Sequence, residues 1–532
     1  MTAQVDRFVH ERLPSSAQLP RMLFAQPELQ FPQQLNLVEE LLDKAQERGF
    51  GDRPLLRSSR LTLTYTETQG RVDTIARMLT QDLGLVPGNR VLLRGGNSIG
   101  MALAWLAVVK AGMVAVATMP LLRAGELGDI IDKSQPVAAL CEVKLLEELD
   151  RARMDRPVLR TVVAFNAAEA PVTKAAAEAP AAACPTAADD IALLAFTSGT
   201  TGKPKAAVHT HRDVLAACET WPRHVLRATP DDIVVGSPPL AFTFGLGGLL
   251  IFPMWAGASV YFPDAPYTPE SMVRTINAVG ATICYTAPTF YRQMAPYVRQ
   301  SRTPSLRTCV SAGEGLPDAT RQLWKDASGI EMTDGIGATE MFHIFISSPP
   351  QEVRRGAIGK VVPGYEAKVV DDDGNELPRG TVGKLAVIGP TGCKYLDEPR
   401  QSNYVKDGWN YPGDAFSEDE DGYFFFQARA DDMIITSGYN VGGPEVEDAL
   451  LRHPAVAECG VIGKPDEARG MIVKAFCVLK PGHVADDAMV HTLQEHVKAT
   501  IAPFKYPREI EFVSSLPRTE TGKLQRFRLR QP

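Results

Sequence analysis

A short loop rich in glycine, hydroxyl side chains and lysine has the composition of a phosphate-binding segment. It follows the apolar run 191–196, and its nine residues are Thr197, Ser198, Gly199, Thr200, Thr201, Gly202, Lys203, Pro204 and Lys205. Glycines permit positive φ and let backbone N–H groups converge on an anion, while the hydroxyls and lysines add donors and positive charge. The general P-loop pattern does not fit, because it needs four residues between its first glycine and the Gly-Lys pair. A solvated surface turn stays open as the alternative interpretation of this loop alone.

Three later segments also combine glycines with charged side chains. Residues 334–340 contain two glycines followed by Thr339 and Glu340, residues 409–414 end in Asp414, and residues 516–524 contain Lys523. A carboxylate offers two acceptor oxygens, which suits a pair of neighbouring hydroxyls. A mobile lysine can stabilise negative charge that builds between two anions. Each segment taken alone also fits an ordinary turn.

The composition is that of a soluble cytoplasmic enzyme. The 532 residues carry 56 Lys and Arg against 63 Asp and Glu, a net charge of −7 that leaves no basic footprint for nucleic acid. The eight cysteines include no C-x-x-C pair, which argues against a zinc site or a disulfide framework. Residues 1–23 lack the apolar core of a secretory signal. No window approaches the roughly 18 uninterrupted apolar residues of a membrane span, so we expect neither nucleic-acid nor membrane partners.

Apolar strand-like runs alternate with helix-length segments, which is typical of a parallel α/β sheet. The pattern predicts a strand at 90–94, a buried helix at 99–111 and the next strand at 113–118. Further strands of this kind are predicted at 233–236, 258–262, 281–285 and 308–311. From residue 359 the pattern changes to strands punctuated by turns, and a compact mixed segment begins near residue 431.

The predicted fold class is therefore α/β with several domains, since the chain is too long for one core. A large N-terminal domain, residues 1–430, comprises two α/β subdomains and a β-rich subdomain at about 359–430. A small α+β C-terminal domain, residues 431–532, follows. The Ala- and Pro-rich stretch 166–190 is interpreted as a linker.

Taken together and in chain order, these four segments and a fifth at 429–441 resemble the motifs of adenylate-forming enzymes, the superfamily of acyl-CoA synthetases, luciferases and peptide-synthetase adenylation domains. The resemblance covers essentially the whole chain. It implies that Lys523, Thr339 and Glu340 are catalytic and that Glu340 ligates Mg²⁺. It also implies that the small C-terminal domain is mobile and rotates about Asp431, which withdraws Lys523 after adenylation and brings Gly438 and Tyr439 to a tunnel for CoA.

The same resemblance implies which residues bind ATP and AMP. Asp414 and Arg429 bind the ribose, although this chain has Pro412 where the family commonly has Thr or Ser. Ile336 stands where most of the family has an aromatic residue. The aryl-CoA ligases also have an aliphatic residue at this position. The full set is Thr197, Ser198, Gly199, Thr200, Thr201, Gly202, Lys203, Lys205, Gly313, Asp334, Gly335, Ile336, Asp414 and Arg429.

The expected acyl pocket is lined by aromatic and small residues. Residues 335–345 resemble benzoate-type CoA ligases, and the N-terminal stretches 6–14 and 29–32 resemble the 2-aminobenzoate-CoA ligase branch. With Phe342, the pocket residues are Ala241, Phe242, Phe244, Gly245, Ile336, Gly337 and His343. Two interpretations of His343 stay open, since it could meet an ortho substituent or pack as an ordinary core histidine.

The sequence thus predicts an ATP-dependent, AMP-forming ligase that converts an aromatic carboxylate, 2-aminobenzoate, to its CoA thioester with ATP, Mg²⁺ and CoA. The alternatives are a benzoate- or hydroxybenzoate-CoA ligase, a medium-chain acyl-CoA synthetase, and a freestanding adenylation enzyme that loads a carrier protein. A nucleotide sensor without turnover is disfavoured by the presence of Lys523, Glu340 and Asp414 together. The partners are small molecules, and the oligomeric state, monomer or homodimer, stays open.

Overall fold

Four β-sheets carry the part of the chain that the structure describes. The computed structural model describes residues 2–166, 181–197, 204–429, 432–436, 439–466, 469–518 and 524–530. Sheets and helices are mixed throughout, which confirms the predicted α/β class. In the same ranges no helix is both long and apolar enough to cross a membrane.

The first sheet has six strands and a buried centre. Val91, Leu92 and Leu93 in its middle strand are 0% exposed, as expected for a parallel strand covered on both faces by helices. In spatial order the strands are Thr161–Phe165, Ala138–Glu142, Arg90–Arg94, Val114–Thr118, Ile191–Thr197 and Lys205–Thr210.

The second sheet has nine strands, and its parallel centre reaches from Met332–Gly337 to Pro54–Arg57. The loops that follow these strands therefore emerge at one edge of the sheet. In spatial order the strands are Lys360–Val361, Ile344–Ser347, Met332–Gly337, Thr308–Ser311, Ile283–Thr286, Ile233–Gly236, Ser259–Tyr261, Pro54–Arg57 and Thr62–Thr64.

The third sheet is antiparallel, and the fourth is antiparallel with one parallel strand at Glu509–Phe512. The third contains Glu366–Val370, Gly383–Ile388, Val405–Lys406, Trp409–Asn410, Asp414–Glu418 and Phe424–Arg429. The fourth contains Ile434–Thr436, Tyr439–Val441, Val456–Asp466, Gly470–Leu479 and Glu509–Phe512.

Helices cover the sheets, and local side chains cap the N-termini of several of them. Ser98 accepts a hydrogen bond from Met101 N (3.2 Å) and begins the buried helix predicted from the sequence. The α-helices are Leu37–Leu41, Tyr65–Arg77, Ile99–Lys110, Ala124–Ser134, Leu146–Arg153, His211–Glu219, Thr243–Leu246, Phe252–Ala256, Pro269–Val279, Pro288–Ser301, Asp318–Ser328, Gln401–Tyr404, Gly443–Leu451, Asp487–Thr500 and Arg526–Leu529.

Antiparallel strands, which the sequence pattern did not predict, border the parallel centre of both N-terminal sheets. Strand Lys205–Thr210 runs antiparallel to Ile191–Thr197, and Ile344–Ser347 runs antiparallel to Met332–Gly337. The chain turns straight back at both places, because too few residues separate the strands for the helical crossover that a parallel connection needs. Each reversal brackets a segment that the sequence predicts to bind nucleotide.

Candidate active site

Several of the residues predicted for the site lie at the carboxyl edge of the second sheet. Gly313 follows strand Thr308–Ser311, and Asp334, Gly335, Ile336 and Gly337 lie on the neighbouring strand Met332–Gly337. The segment 237–245 follows strand Ile233–Gly236 at the same edge. Ligands of open α/β sheets bind outside the carboxyl ends of the strands, so the topology alone brings these distant segments together.

A strained turn holds Thr339 and Glu340. They lie in the 3-10 turn Thr339–Met341, which ends at Phe342 with φ 69° and ψ −50°. A positive φ is rare for a bulky residue and is retained where the surroundings enforce it. Phe342 is 0% exposed, and its ring lies edge-on to the ring of His209 at 5.4 Å rather than beside the other pocket aromatics.

A buried histidine, His209, holds this turn through a hydrogen bond to its backbone. His209 Nε2 lies 2.7 Å from the Thr339 carbonyl oxygen, so this nitrogen carries the proton and donates it. Burial lowers the pKa of His209 to about 4, which keeps the ring neutral at neutral pH. Beside it, Lys394 Nζ and Asp213 Oδ2 form a buried ion pair at 2.6 Å.

Asp213 stays ionised in this setting. Burial by itself raises the pKa of its carboxyl, but the charge of Lys394, with help from His209 and the Thr210 N–H, outweighs burial and lowers it. Neither Asp213 nor Lys394 was singled out from the sequence, because the two residues belong to separate segments that only the fold brings into contact.

Tyr395 links Glu340 to Lys205. The Tyr395 hydroxyl donates to Glu340 Oε1, and Lys205 Nζ lies 3.3 Å from the Tyr395 hydroxyl oxygen. Burial, with the nearby Glu340 charge, raises the pKa of Tyr395, so the phenol keeps its proton and remains a donor. No local pattern in the sequence marks Tyr395, which connects Glu340 to Lys205 from a distant segment of the chain.

Asp414 and Arg429 face each other across two strands. They are register partners in the third sheet, with Arg429 Nη1 3.2 Å from Asp414 Oδ1. Gly413 precedes the aspartate with φ 84°, a conformation that glycine adopts without cost. The pair places one carboxylate and one guanidinium side by side.

Asp334 has a different environment from its neighbours. It is 3% exposed, and its carboxylate lies 3.8 Å from Arg321 Nη2 on helix Asp318–Ser328. Burial raises the pKa of Asp334 to about 6, with Arg321 opposing the rise. Its carboxylate therefore faces the helix layer of the fold.

Four aromatic rings form a closed ring of contacts beside Gly337 and Ile336. Successive centroids lie 5.7 Å apart for Phe244 and Tyr285, 6.2 Å for Tyr285 and Trp221, 5.2 Å for Trp221 and His343, and 5.6 Å for His343 and Phe244. We call this group the aromatic box. Phe244 is half-buried and the other three rings are buried, so Phe244 is the ring at the solvent side.

Glycines make room for the aromatic box. A Cβ on Gly247 would lie 2.7 Å from His343 Cδ2, and one on Gly248 would lie 2.6 Å from Tyr285 Cε1. A Cβ on Gly337 would lie 2.5 Å from the His343 carbonyl oxygen, and one on Gly245 would lie 2.1 Å from the Pro239 carbonyl oxygen. Ala241 is buried and Phe242 half-buried on the same segment.

Three members of the aromatic box carry buried polar atoms without a hydrogen bond of normal geometry. They are both ring nitrogens of His343, Trp221 Nε1 and the Tyr285 hydroxyl. Buried polar groups are nearly always hydrogen-bonded in folded proteins, so these atoms are suited to a bound molecule. Burial lowers the pKa of His343 to about 3, with a smaller opposing effect of the Phe244 backbone, and the neutral ring offers one donor and one acceptor.

Several predicted site residues lie outside the described residues. They are Ser198, Gly199, Thr200, Thr201, Gly202, Lys203, Asp431, Gly438 and Lys523. The structure does describe their flanks: Thr197 and Lys205 are register partners at the end of one hairpin, and Arg518 and Leu524 form a bridge around the other loop. Tyr439 lies on strand Tyr439–Val441.

Comparison with known proteins decides the family. The model of the AMP-binding enzyme matches residues 43–394, and that of the AMP-binding enzyme C-terminal domain matches residues 445–523. The chain belongs to the AMP-binding enzyme family. Thauera aromatica benzoate–CoA ligase is 35% identical over 95% of this chain and 97% of its own.

Solved structures of other AMP-binding enzymes have the same fold. The anthranilate CoA ligase AuaEII, in complex with anthranoyl-AMP, superposes with a TM-score of 0.89 at 34% identity, covering 95% of this chain and 98% of that one. A benzoate CoA ligase from Burkholderia xenovorans LB400 gives 0.84 at 29% identity, covering 93% and 100%. The predicted family is thereby confirmed.

This AMP-binding enzyme is a ligase that uses ATP, Mg²⁺ and CoA, and the described residues fit the first two. Mg²⁺ is held by one or two carboxylates together with substrate phosphates, and Glu340 offers such a carboxylate, connected to Lys205 through the Tyr395 hydroxyl. Asp414 offers two acceptor oxygens for a ribose diol. No larger cluster of His, Cys, Asp or Glu suited to a metal occurs within the described ranges.

Proposed function

We propose that the protein is an AMP-forming aryl-CoA ligase whose acid is 2-aminobenzoate. The observation that carries this proposal is the aromatic box, in which His343, Trp221 and Tyr285 carry buried polar atoms without a hydrogen bond of normal geometry. Flat rings pack edge-on or offset against aromatic side chains at centroid distances of about 4.5–7 Å. A benzene ring therefore suits the pocket better than a flexible acyl chain.

The polar atoms favour a ring that carries a hydrogen-bonding substituent. An amino group donates and a neutral His343 offers an acceptor nitrogen, so 2-aminobenzoate satisfies an atom that benzoate leaves unpaired. Names of relatives agree with this chemistry: benzoate in the Thauera ligase and anthranilate, which is 2-aminobenzoate, in AuaEII.

The nucleotide-binding assignments are part of the proposal. The loop 197–205 holds the phosphates, Thr339 contacts phosphate, and Glu340 binds Mg²⁺, which neutralises phosphate charge when present. Asp414 and Arg429 take the ribose, and Gly313, Gly335 and Ile336 lie against the adenine.

The protein's own groups support two half-reactions. In the first, the carboxylate of the acid attacks the α-phosphorus of ATP and pyrophosphate leaves, while Lys523 stabilises the charge between the two anions. In the second, the CoA thiol attacks the acyl carbonyl and AMP leaves. Rotation about Asp431 exchanges Lys523 for Gly438 and Tyr439 between the steps, so that one site performs both by gating.

Substrate profiling of the purified protein tests this function. Pyrophosphate release is measured with ATP and Mg²⁺ over 2-aminobenzoate, benzoate, hydroxybenzoates and medium-chain fatty acids. We expect the highest kcat/KM with 2-aminobenzoate. Turnover confined to fatty acids would refute the aromatic pocket, and a preference for benzoate or a hydroxybenzoate would refute the assigned acid while leaving the reaction class intact.

A matched pair of variants tests the hydrogen bond itself. His343→Leu removes both ring nitrogens, and we expect the preference for 2-aminobenzoate over benzoate to fall by roughly tenfold, about the value of one neutral hydrogen bond. Phe244→Leu alters the ring packing without touching a polar atom, so both acids should weaken together. An unchanged preference in His343→Leu contradicts the proposed contact.

A further inference from the structure

Arg518 and Leu524, the described residues on either side of the segment that contains Lys523, are anchored to the fourth sheet. Arg518 and Leu524 form an antiparallel bridge, so the two ends of the loop lie side by side. Leu516 is buried against Ile462 and Phe476 of the fourth sheet, and Leu524 packs on the same cluster. The base of the loop therefore moves with the fourth sheet.

One side chain at that base reaches in two directions. Arg518 Nη1 lies 3.3 Å from Glu314 Oε1, and Arg518 Nη2 lies 2.9 Å from Glu458 Oε2. Glu458 belongs to strand Val456–Asp466 of the fourth sheet, whereas Glu314 directly follows Gly313 at the carboxyl edge of the second sheet. The guanidinium thus joins the loop base to the edge where the nucleotide-binding residues converge.

Glu314 is a fixed acceptor on the large region. Thr289 Oγ1 donates to Glu314 Oε2 at 2.7 Å, and Thr289 lies in the first turn of helix Pro288–Ser301. This leaves Oε1 directed to Arg518. A planar guanidinium can hold two carboxylates at once and keep one when the other withdraws, which a lysine ammonium does less well.

The Arg518 bridge lies beside a cavity at the boundary between the second and fourth sheets. A cavity of about 740 Å³, lined by Thr289, Ala319, Arg452 and Glu458 among others, separates helices Pro288–Ser301 and Asp318–Ser328 from the segment after Leu451. Contact across this boundary is made by discrete polar bridges, such as Ala319 N to Asp448 Oδ1 at 2.8 Å. Of the two bridges described here, that of Arg518 lies at the base of the loop.

We propose that Arg518 is a positioning residue for the adenylation half-reaction, in which its ion pair with Glu314 latches the Lys523 loop against the nucleotide-binding edge. The inference rests on the proposed function, in which Lys523 serves the first half-reaction only. Rotation for the second half-reaction separates Arg518 from Glu314 and leaves it paired with Glu458. Arg518 acts through Lys523 and does not itself touch the reacting atoms.

The two half-reactions, measured separately, test this role. Adenylation is followed by pyrophosphate release with whichever acid the unmodified protein activates best, and thioester formation is followed from synthetic aryl-AMP and CoA. For Arg518→Met we expect the kcat of adenylation to fall roughly 10-fold to 100-fold, the range of one charge-assisted hydrogen bond. The KM for ATP and the rate of thioester formation should stay within about threefold, since the pair is absent from the second conformation.

Partner variants separate a latch from a general structural effect. Glu314→Gln should reproduce the pattern, and the double variant should be no worse than either single variant, because both remove the same contact. Glu458→Gln removes only the contact within the fourth sheet and is the matched control, with adenylation expected to stay within about threefold. Equal losses in both half-reactions, or losses that multiply in the double variant, would overturn the proposal.

Two outcomes keep this test distinct from that of the proposed function. If the unmodified protein activates no aromatic acid, the proposed function fails before any variant is compared, and the latch is then tested with the acid it does activate. If Arg518→Met does not fold, Arg518→Lys, which retains the charge, takes its place, and equal losses in both half-reactions of that folded variant overturn the positioning role.

Discussion

Removing Lys394 should destabilise the protein by leaving a buried carboxylate without its counter-ion. Lys394 Nζ lies 2.6 Å from Asp213 Oδ2, and the Asp213 side chain is 1% exposed. In Lys394→Met the remaining donor to Asp213 Oδ2 is the Thr210 N–H at 2.9 Å. Breaking a buried ion pair from one side costs about 3–5 kcal/mol.

That free energy converts into a measurable shift in Tm. With an unfolding entropy of ~2.1 cal/mol/K per residue over roughly 430 cooperative residues, the loss corresponds to a decrease of about 3–6 °C. Scanning calorimetry of the purified variant measures it. Asp213→Asn/Lys394→Met is the matched control: it removes both charges but keeps an acceptor for Thr210 N, so its Tm should recover most of the decrease.

The destabilisation of Lys394→Met should also depend on pH. An isolated buried carboxylate takes up a proton more readily, so the destabilisation should shrink as the pH falls. Two results would show that Lys394 does not stabilise the protein by neutralising the buried Asp213 carboxylate. One is a Tm for Lys394→Met within 1 °C of the unmodified protein, and the other is a double variant that melts below the single one.

Three further predictions concern the site and its surroundings. In Tyr395→Phe, Glu340 loses its phenol donor, and we expect the Mg²⁺ concentration for half-maximal pyrophosphate release to rise roughly tenfold; an unchanged Mg²⁺ titration contradicts this. In Gly337→Ala, the new Cβ would meet backbone atoms of His343 at 2.5 Å, so the KM for the aromatic acid should rise at least about tenfold while ATP binding by calorimetry persists, and an unaltered KM would exclude Gly337 from the pocket wall. Between pH 7 and pH 5 the free energy of unfolding should fall by about 4 kcal/mol. The unfolded chain takes up protons on His209, His211 and His343, whose pKa burial holds at about 3 to 4 in the folded protein, and Asp334, with its pKa of about 6, partly offsets this loss. Stability that rises on acidification would refute this prediction.

Local patterns predicted the elements of the fold well. The strands at Arg90–Arg94, Ile233–Gly236 and Thr308–Ser311 have the predicted bounds, because buried parallel strands are continuous apolar runs bounded by turns. Strand Val114–Thr118 begins one residue later than predicted. The antiparallel edges were missed, since strand direction depends on the length of a connection and not on the strand's own residues.

The sequence identified the motif residues of the site but not the residues that support them. Glycine-rich loops carry a local signature, whereas Tyr395, His209 and the Asp213–Lys394 pair are ordinary side chains until the fold brings them to Glu340 and Thr339. Likewise, Tyr285 and Trp221 lie in segments without any chemical motif. The roles of the motif residues stay predictions that the variants above test.

The proposed function requires one site to form an aroyl-adenylate and then to transfer the aroyl group to CoA. The most direct test is mass spectrometry of a single reaction mixture, with purified protein, ATP, Mg²⁺ and 2-aminobenzoate, sampled before and after addition of CoA. We predict 2-aminobenzoyl-AMP bound to the protein in the first sample and its conversion to 2-aminobenzoyl-CoA with release of AMP in the second. Formation of ADP and phosphate, or thioester formation without any adenylate, would refute the proposed two-step reaction through an acyl-adenylate.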